Sequence, residues 1–133
     1  MRFVSIVNAT ADSEAGVMPP PTLLAEIGAF HEDLARAGVL LDGAGLKAFS
    51  HGWRVRIGGG GGGRSGGADR RIIDGPFDET QELIAGCTLI QLRSRDEAVE
   101  WSRRCPNPTL HGSACEIDVR QLLAAADFAP NNA

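Results

Sequence analysis

The segment Ile72-Ile73-Asp74-Gly75-Pro76-Phe77 constrains the fold more than any other stretch of this 133-residue chain. Two β-branched residues favour an extended backbone. Proline then removes an amide donor and fixes φ, so a strand entering this segment must stop at Asp74. The Asp74 carboxylate is left at the strand's mouth, with Phe77 as an aromatic anchor beyond the turn. Upstream, Trp53, Val55 and Ile57 alternate with Arg54 and Arg56, the pattern of a strand that buries one face. Between this strand and Arg71-Ile72-Ile73 lies Gly58 to Gly67, in which eight of ten residues are glycine. Two strands flanking such a connection predict a hairpin with a flexible tip.

The remaining elements follow from periodicity. Residues 2–7 read as a strand, with Val4 and Ile6 on one face and Phe3 and Val7 on the other. A loop ends in Pro19-Pro20-Pro21, which can lead into a helix. That helix carries the stripe Leu23, Ile27, Phe30, Leu34 and Ala37, and Gly38 is placed to stop it in the left-handed region. Val39-Leu40-Leu41 opens a second strand, and Cys87 to Leu92 reads as a central one. Ser94 and Glu97 form a capping box for a second helix, which buries Ala98, Trp101 and Cys105 before Pro106. Cys115, Ile117 and Val119 mark a last strand, followed by a small-residue tail, 124–133, with Phe128 as its anchor.

The order is that of a single α+β domain spanning residues 1–133, a ferredoxin-like βαββαβ plan with an elaborated hairpin. Helices cover one face of such a sheet and leave the other uncovered. In so short a chain the simplest cover is a second copy, so we expect a homodimer.

Composition narrows the function. The net charge is −4, and the basic pairs Arg70-Arg71 and Arg103-Arg104 have acids nearby. No counterion-releasing surface for nucleic acid is expected. No apolar run is long enough to span a membrane, and polar residues from Asn8 end the first run too early for a signal peptide. Three cysteines with no paired spacing suit a reduced, cytoplasmic protein.

Several motifs carry a resemblance. Ile73-Asp74-Gly75-Pro76-Phe77 is followed by Glu79-Thr80 and Glu82 to Gly86; Ala9 to Gly16 precedes the first helix, and Ala37 to Leu41 with Gly45-Leu46 follows it. With Glu97-Ala98, Glu100-Trp101 and Arg104-Cys105-Pro106, the chain from about Phe3 to Phe128 resembles the DGPF branch of the YCII-related family. The resemblance implies a dimeric α+β barrel. It also implies a choice between small-molecule enzymes, which use a His–Asp pair on small aromatic compounds, and modules linked to extracytoplasmic-function sigma factors. In the enzyme-like branch the histidine lies on the first helix; counted back from Gly38, that position falls near Ile27, one turn before His31.

Read from the residues, Asp74 is either a general base or a turn aspartate bonded to its own loop amides. His31 borders the buried stripe and could meet Asp42 as an acid–base pair, or stand alone at the helix flank. Trp53 and Phe49 are expected to line a small apolar pocket with Asp74 and His31 near its mouth. The glycine run lacks the Gly-Lys-Ser/Thr ending of a phosphate loop. Cys105, His111 and Cys115 match no standard zinc spacing, so neither metal nor cofactor is expected. The function expected is cofactor-free proton transfer on a small-molecule ligand, of the lyase or isomerase kind. The alternatives are a non-catalytic regulatory or ligand-binding module, and a purely structural partner.

Overall fold

In a computed structural model of the chain, the described residues are 1–58, 69–77, 83–109, 112 and 114–128. Residues 59–67 of the glycine run, the Glu79-Thr80-to-Glu82 stretch, His111 and the end of the tail lie outside them.

The elements are β1 (Arg2–Asn8), α1 (Ala11–Glu14), α2 (Pro21–Arg36), β2 (Leu40–Gly45), a 3-10 turn (Phe49–His51), β3 (Trp53–Ile57), β4 (Arg70–Asp74), β5 (Ile84–Gln91), α3 (Arg95–Arg103), β6 (Ile117–Gln121) and a final 3-10 turn (Ala125–Phe128). Four strands form one antiparallel sheet in the order β2-β5-β1-β6, and β3 pairs with β4 in a separate two-stranded sheet. The fold is α+β with antiparallel sheets. The four-strand order, with the β3–β4 hairpin inserted in the chain between β2 and β5, is compatible with a ferredoxin-like plan.

Helix α2 starts and stops where local chemistry directs. Pro21 supplies a preset φ at its first turn. At its end Gly38 takes φ +75°, while the Gly38 amide donates to Ala35 and the Val39 amide donates to Leu34, closing the last turn. Helix α3 begins at Ser94, whose hydroxyl accepts from the Glu97 amide at 3.2 Å. Glu97 does not return the bond to Ser94, as a full capping box would. Its carboxylate accepts from the Arg93 amide at 3.0 Å and the Arg93 guanidinium at 3.4 Å. The loop expected before α2 contains the short helix α1, closed by a Thr10–Ser13 capping box that was not anticipated.

Both helices pack on one face of the four-stranded sheet. The core joins Phe3, Leu34, Ile90, Leu92 and Ala98, flanked by Phe30, Val39, Leu40, Trp101 and Val119. Leu34 is 1% exposed. Burying a side chain of this size contributes about 1.5–3 kcal/mol. Because strand residues alternate, the opposite face presents Val4, Ile6, Cys87 and Leu89, all half-buried, with Asp42, Ala44, Asp118 and Arg120 beside them.

Two burial expectations fail. Trp53, Val55 and Ile57 are 62%, 46% and 61% exposed, and Ile72 across from Val55 is 64% exposed. A two-stranded sheet whose apolar side meets no second layer cannot bury it. Phe128 is 72% exposed and anchors nothing among the described residues. Cys115 lies just outside β6, leaving Ile117 and Val119 as its half-buried positions.

Candidate functional site

The helical pitch carries His31 one turn beyond Ile27, onto the sheet side of α2. Its Nδ1 lies 2.9 Å from the Ile27 carbonyl oxygen, and its Nε2 lies 3.2 Å from Thr88 Oγ1. A carbonyl can only accept, so in the neutral ring Nδ1 carries the proton and Nε2 presents its lone pair. The Thr88 hydroxyl therefore donates to Nε2. The imidazole is oriented by one bond and faces a hydroxyl through the other, a relation that proton-transfer sites also use.

The ground under this pair is glycine. Gly43 pairs with Thr88 across β2 and β5, so it stands on the same face. A Cβ at Gly43 would come within 3.2 Å of His31 Nε2. At Gly45, two residues along the same strand, a Cβ would meet nothing within 4 Å. Gly43 thus yields its Cβ space to the His31 ring, and no side chain stands beside it at Gly45 on the β2 edge. Ser5 stands opposite Thr88 on β1 and adds a second hydroxyl-bearing residue to this face.

Asp42 does not join His31. It pairs with Leu89, one step from the Gly43–Thr88 pair, and so projects from the other face of the sheet. Its Oδ1 accepts from the Gly43 amide at 2.8 Å.

Asp74 ends β4 in the other sheet, opposite Trp53, and is exposed. The turn beyond it does not close on the carboxylate: the Gly75 amide donates to Gly52 at 3.0 Å. Among the described residues no hydrogen bond or ion pair holds Asp74. The Gly75–Pro76 peptide is cis, and a Cβ on Gly75 would collide with the Phe49 carbonyl oxygen. This close approach seats Phe77 edge-on to Phe49, ring centroids 4.8 Å apart, with the Arg54 guanidinium 3.9 Å above the Phe77 ring. The Phe49 amide donates to Glu14 Oε1 at 3.2 Å, which ties α1 to the same cluster.

Phe49 and Trp53 do not face one another. Phe49 packs on the Arg54 side of the hairpin, and Trp53 points from the opposite side with Val55, Ile57 and Ile72. Two open hollows lie elsewhere. One of about 390 Å³ is lined by Ser94, Asp96, Glu97, Glu100, Trp101 and Arg104. The other, about 260 Å³, is lined by Arg56, Gly58, Asp69 and Arg71. Neither contains His31 or Asp74.

Among the described residues no three His, Cys, Asp or Glu side chains converge as metal ligands. Burial pushes the Cys105 thiol up, reinforced by Cys115, so it stays protonated. Also among the described residues, no helix is long and apolar enough to cross a membrane.

Thr88 was not anticipated. Its one signal was a hydroxyl in the middle of a mostly apolar central strand, where a polar atom shielded from water needs a partner.

Two helices on one face of an antiparallel sheet, with a histidine held between helix and sheet, define a small α+β protein carrying a candidate acid–base site. The chain belongs to the YCII-related family, whose domain model matches residues 1–123. No curated protein matches the chain.

Proposed function

We propose that this YCII-related chain, of the DGPF branch, is a homodimeric small-molecule enzyme that moves a proton without a cofactor. The observation that carries the reading is the His31 ring, anchored through Nδ1 on Ile27 and presenting Nε2 to Thr88 above the Gly43–Gly45 floor. In this reading a ligand entering at the β2 edge displaces the Thr88 hydroxyl from Nε2, or passes a proton to Nε2 through it. His31 takes a proton from an activated carbon or hydroxyl, as lyases and isomerases require. Asp74, exposed at the hairpin and without a bonded partner among the described residues, stands apart from the His31–Thr88 pair and serves as a second candidate for ligand contact. The uncovered Val4, Ile6, Cys87 and Leu89 face favours a paired assembly.

The test is solvent-deuterium exchange, followed by NMR, on small aromatic carbonyl and hydroxyl compounds that raise the melting temperature of the chain. We expect exchange at one activated position, slowed about 100-fold or more in His31→Gln while ligand stabilisation persists. Exchange that survives His31→Gln eliminates the histidine as base. A ligand that stabilises the wild type and shows no exchange points to a regulatory binding module, such as one acting with a sigma factor.

A further inference from the structure

Arg56 and Arg71 are direct partners across β3 and β4, so two positive side chains stand opposite each other on one side of the hairpin. Like charges in that relation destabilise a strand pair. Among the described residues neither arginine is in an ion pair. Arg54, two residues before Arg56 on the same side, is already committed, with its guanidinium 3.9 Å above the Phe77 ring. Asp69 lies two residues before Arg71, and its carbonyl accepts from the Gly58 amide at 2.9 Å. A Cβ on Gly58 would come within 2.6 Å of Asp69 Cβ, so the glycine leaves the space that the Asp69 side chain takes. Arg56, Arg71, Asp69 and Gly58 together line the open hollow of about 260 Å³.

We propose that this hollow binds a phosphate group that still carries a proton, either inorganic phosphate or a small phosphate monoester. The guanidinium forks of Arg56 and Arg71 match the oxygens of a tetrahedral oxyanion, and an anion between them replaces one repulsion with two attractions. Asp69 decides which oxyanion. An ionised carboxylate only accepts, so it repels a fully ionised anion and bonds to one that offers a P–OH donor. Phosphate keeps such a hydroxyl near neutral pH, and sulfate has none. The volume lies below the roughly 300–1,000 Å³ of sites for drug-sized ligands, which suits a small group. The hollow contains neither His31 nor Thr88, so its occupancy stands or falls apart from the proton-transfer reading.

The test is isothermal titration calorimetry of the full chain at about pH 6, where phosphate monoesters are about half protonated. The probes are inorganic phosphate, phenyl phosphate and sulfate at matched ionic strength. Phosphate should bind saturably, about 10-fold or more tightly than sulfate, a preference that needs no variant to measure. Arg56→Gln and Arg71→Gln alter exposed side chains, so circular dichroism should match the wild type. Each should weaken phosphate binding about 10-fold or more, as the loss of a charge-assisted hydrogen bond does. Asp69→Asn should bring sulfate to within about twofold of phosphate, since an amide can donate to a fully ionised oxyanion. Tighter binding of phenyl phosphate marks a monoester as the ligand, and binding of inorganic phosphate alone marks the free anion. No saturable binding of either phosphate, or binding that survives both arginine substitutions, overturns the site. A wild type that holds sulfate as tightly as phosphate, or a preference that Asp69→Asn leaves intact, overturns the role of Asp69.

Discussion

Gly75 shows how one missing side chain holds a cluster together. A Cβ there would collide with the Phe49 carbonyl oxygen, and Phe49, Phe77 and Arg54 are stacked immediately behind it. Gly75→Ala must push the Phe49 backbone away and lose part of that stacking. The expected cost is about 2–3 kcal/mol, read as a lower urea midpoint at unchanged slope. Gly43 works on the same principle beside His31, where a methyl group would crowd Nε2. Both glycines are visible in the sequence, yet nothing there says which atoms approach them. The same holds for His31. Its place on α2 follows from helical spacing, whereas its partner followed from strand register: Thr88 shares a face with Gly43, and Asp42 does not. One residue of slip in β2 would have reversed that choice.

At the scale of elements, the start of α3 is the clearest local device. Ser94 caps the Glu97 amide, and the Glu97 carboxylate is held below its ordinary range chiefly by the Arg93 amide hydrogen bond, against a smaller upward push from burial. A carboxylate with a depressed pKa stabilises the fold above its unfolded titration range, and that stabilisation is lost as pH falls through the folded value. Ser94→Ala should lower stability by about 1 kcal/mol at neutral pH. Glu97→Gln should leave a protein whose melting temperature falls less steeply on acidification than that of the wild type; equal slopes would remove Glu97 from the account. The caps, the Gly38 stop and the helical stripes were legible because they act within a few residues. Helix α1 was missed because Thr10 and Ser13 are too short a signal beside the proline run that follows. The hairpin was legible as two strands, but its exposed apolar side was not, since alternation says only that two faces differ.

Across the whole molecule one core joins α2, α3 and the four-stranded sheet through Leu34, Phe3, Ile90, Leu92 and Ala98. Leu34→Ala should cost about 3 kcal/mol and shift helix and sheet signals together in thermal melts, because among the described residues no other layer supports either helix. A variant in which the helices melt ahead of the sheet would show two separable units. The hairpin stands outside this core, held by its turn against Phe49. The order of strands and helices, the helix ends, the break at Asp74-Gly75-Pro76 and the YCII-related membership were all written in local spacing and in motif order, which the chain carries without folding. The tertiary structure alone decided that His31 meets Thr88, that Asp42 and Asp74 lie apart from it, and that Trp53 and Phe49 part company. Those outcomes depend on register and on which face meets which layer, and they are settled only when distant segments pack.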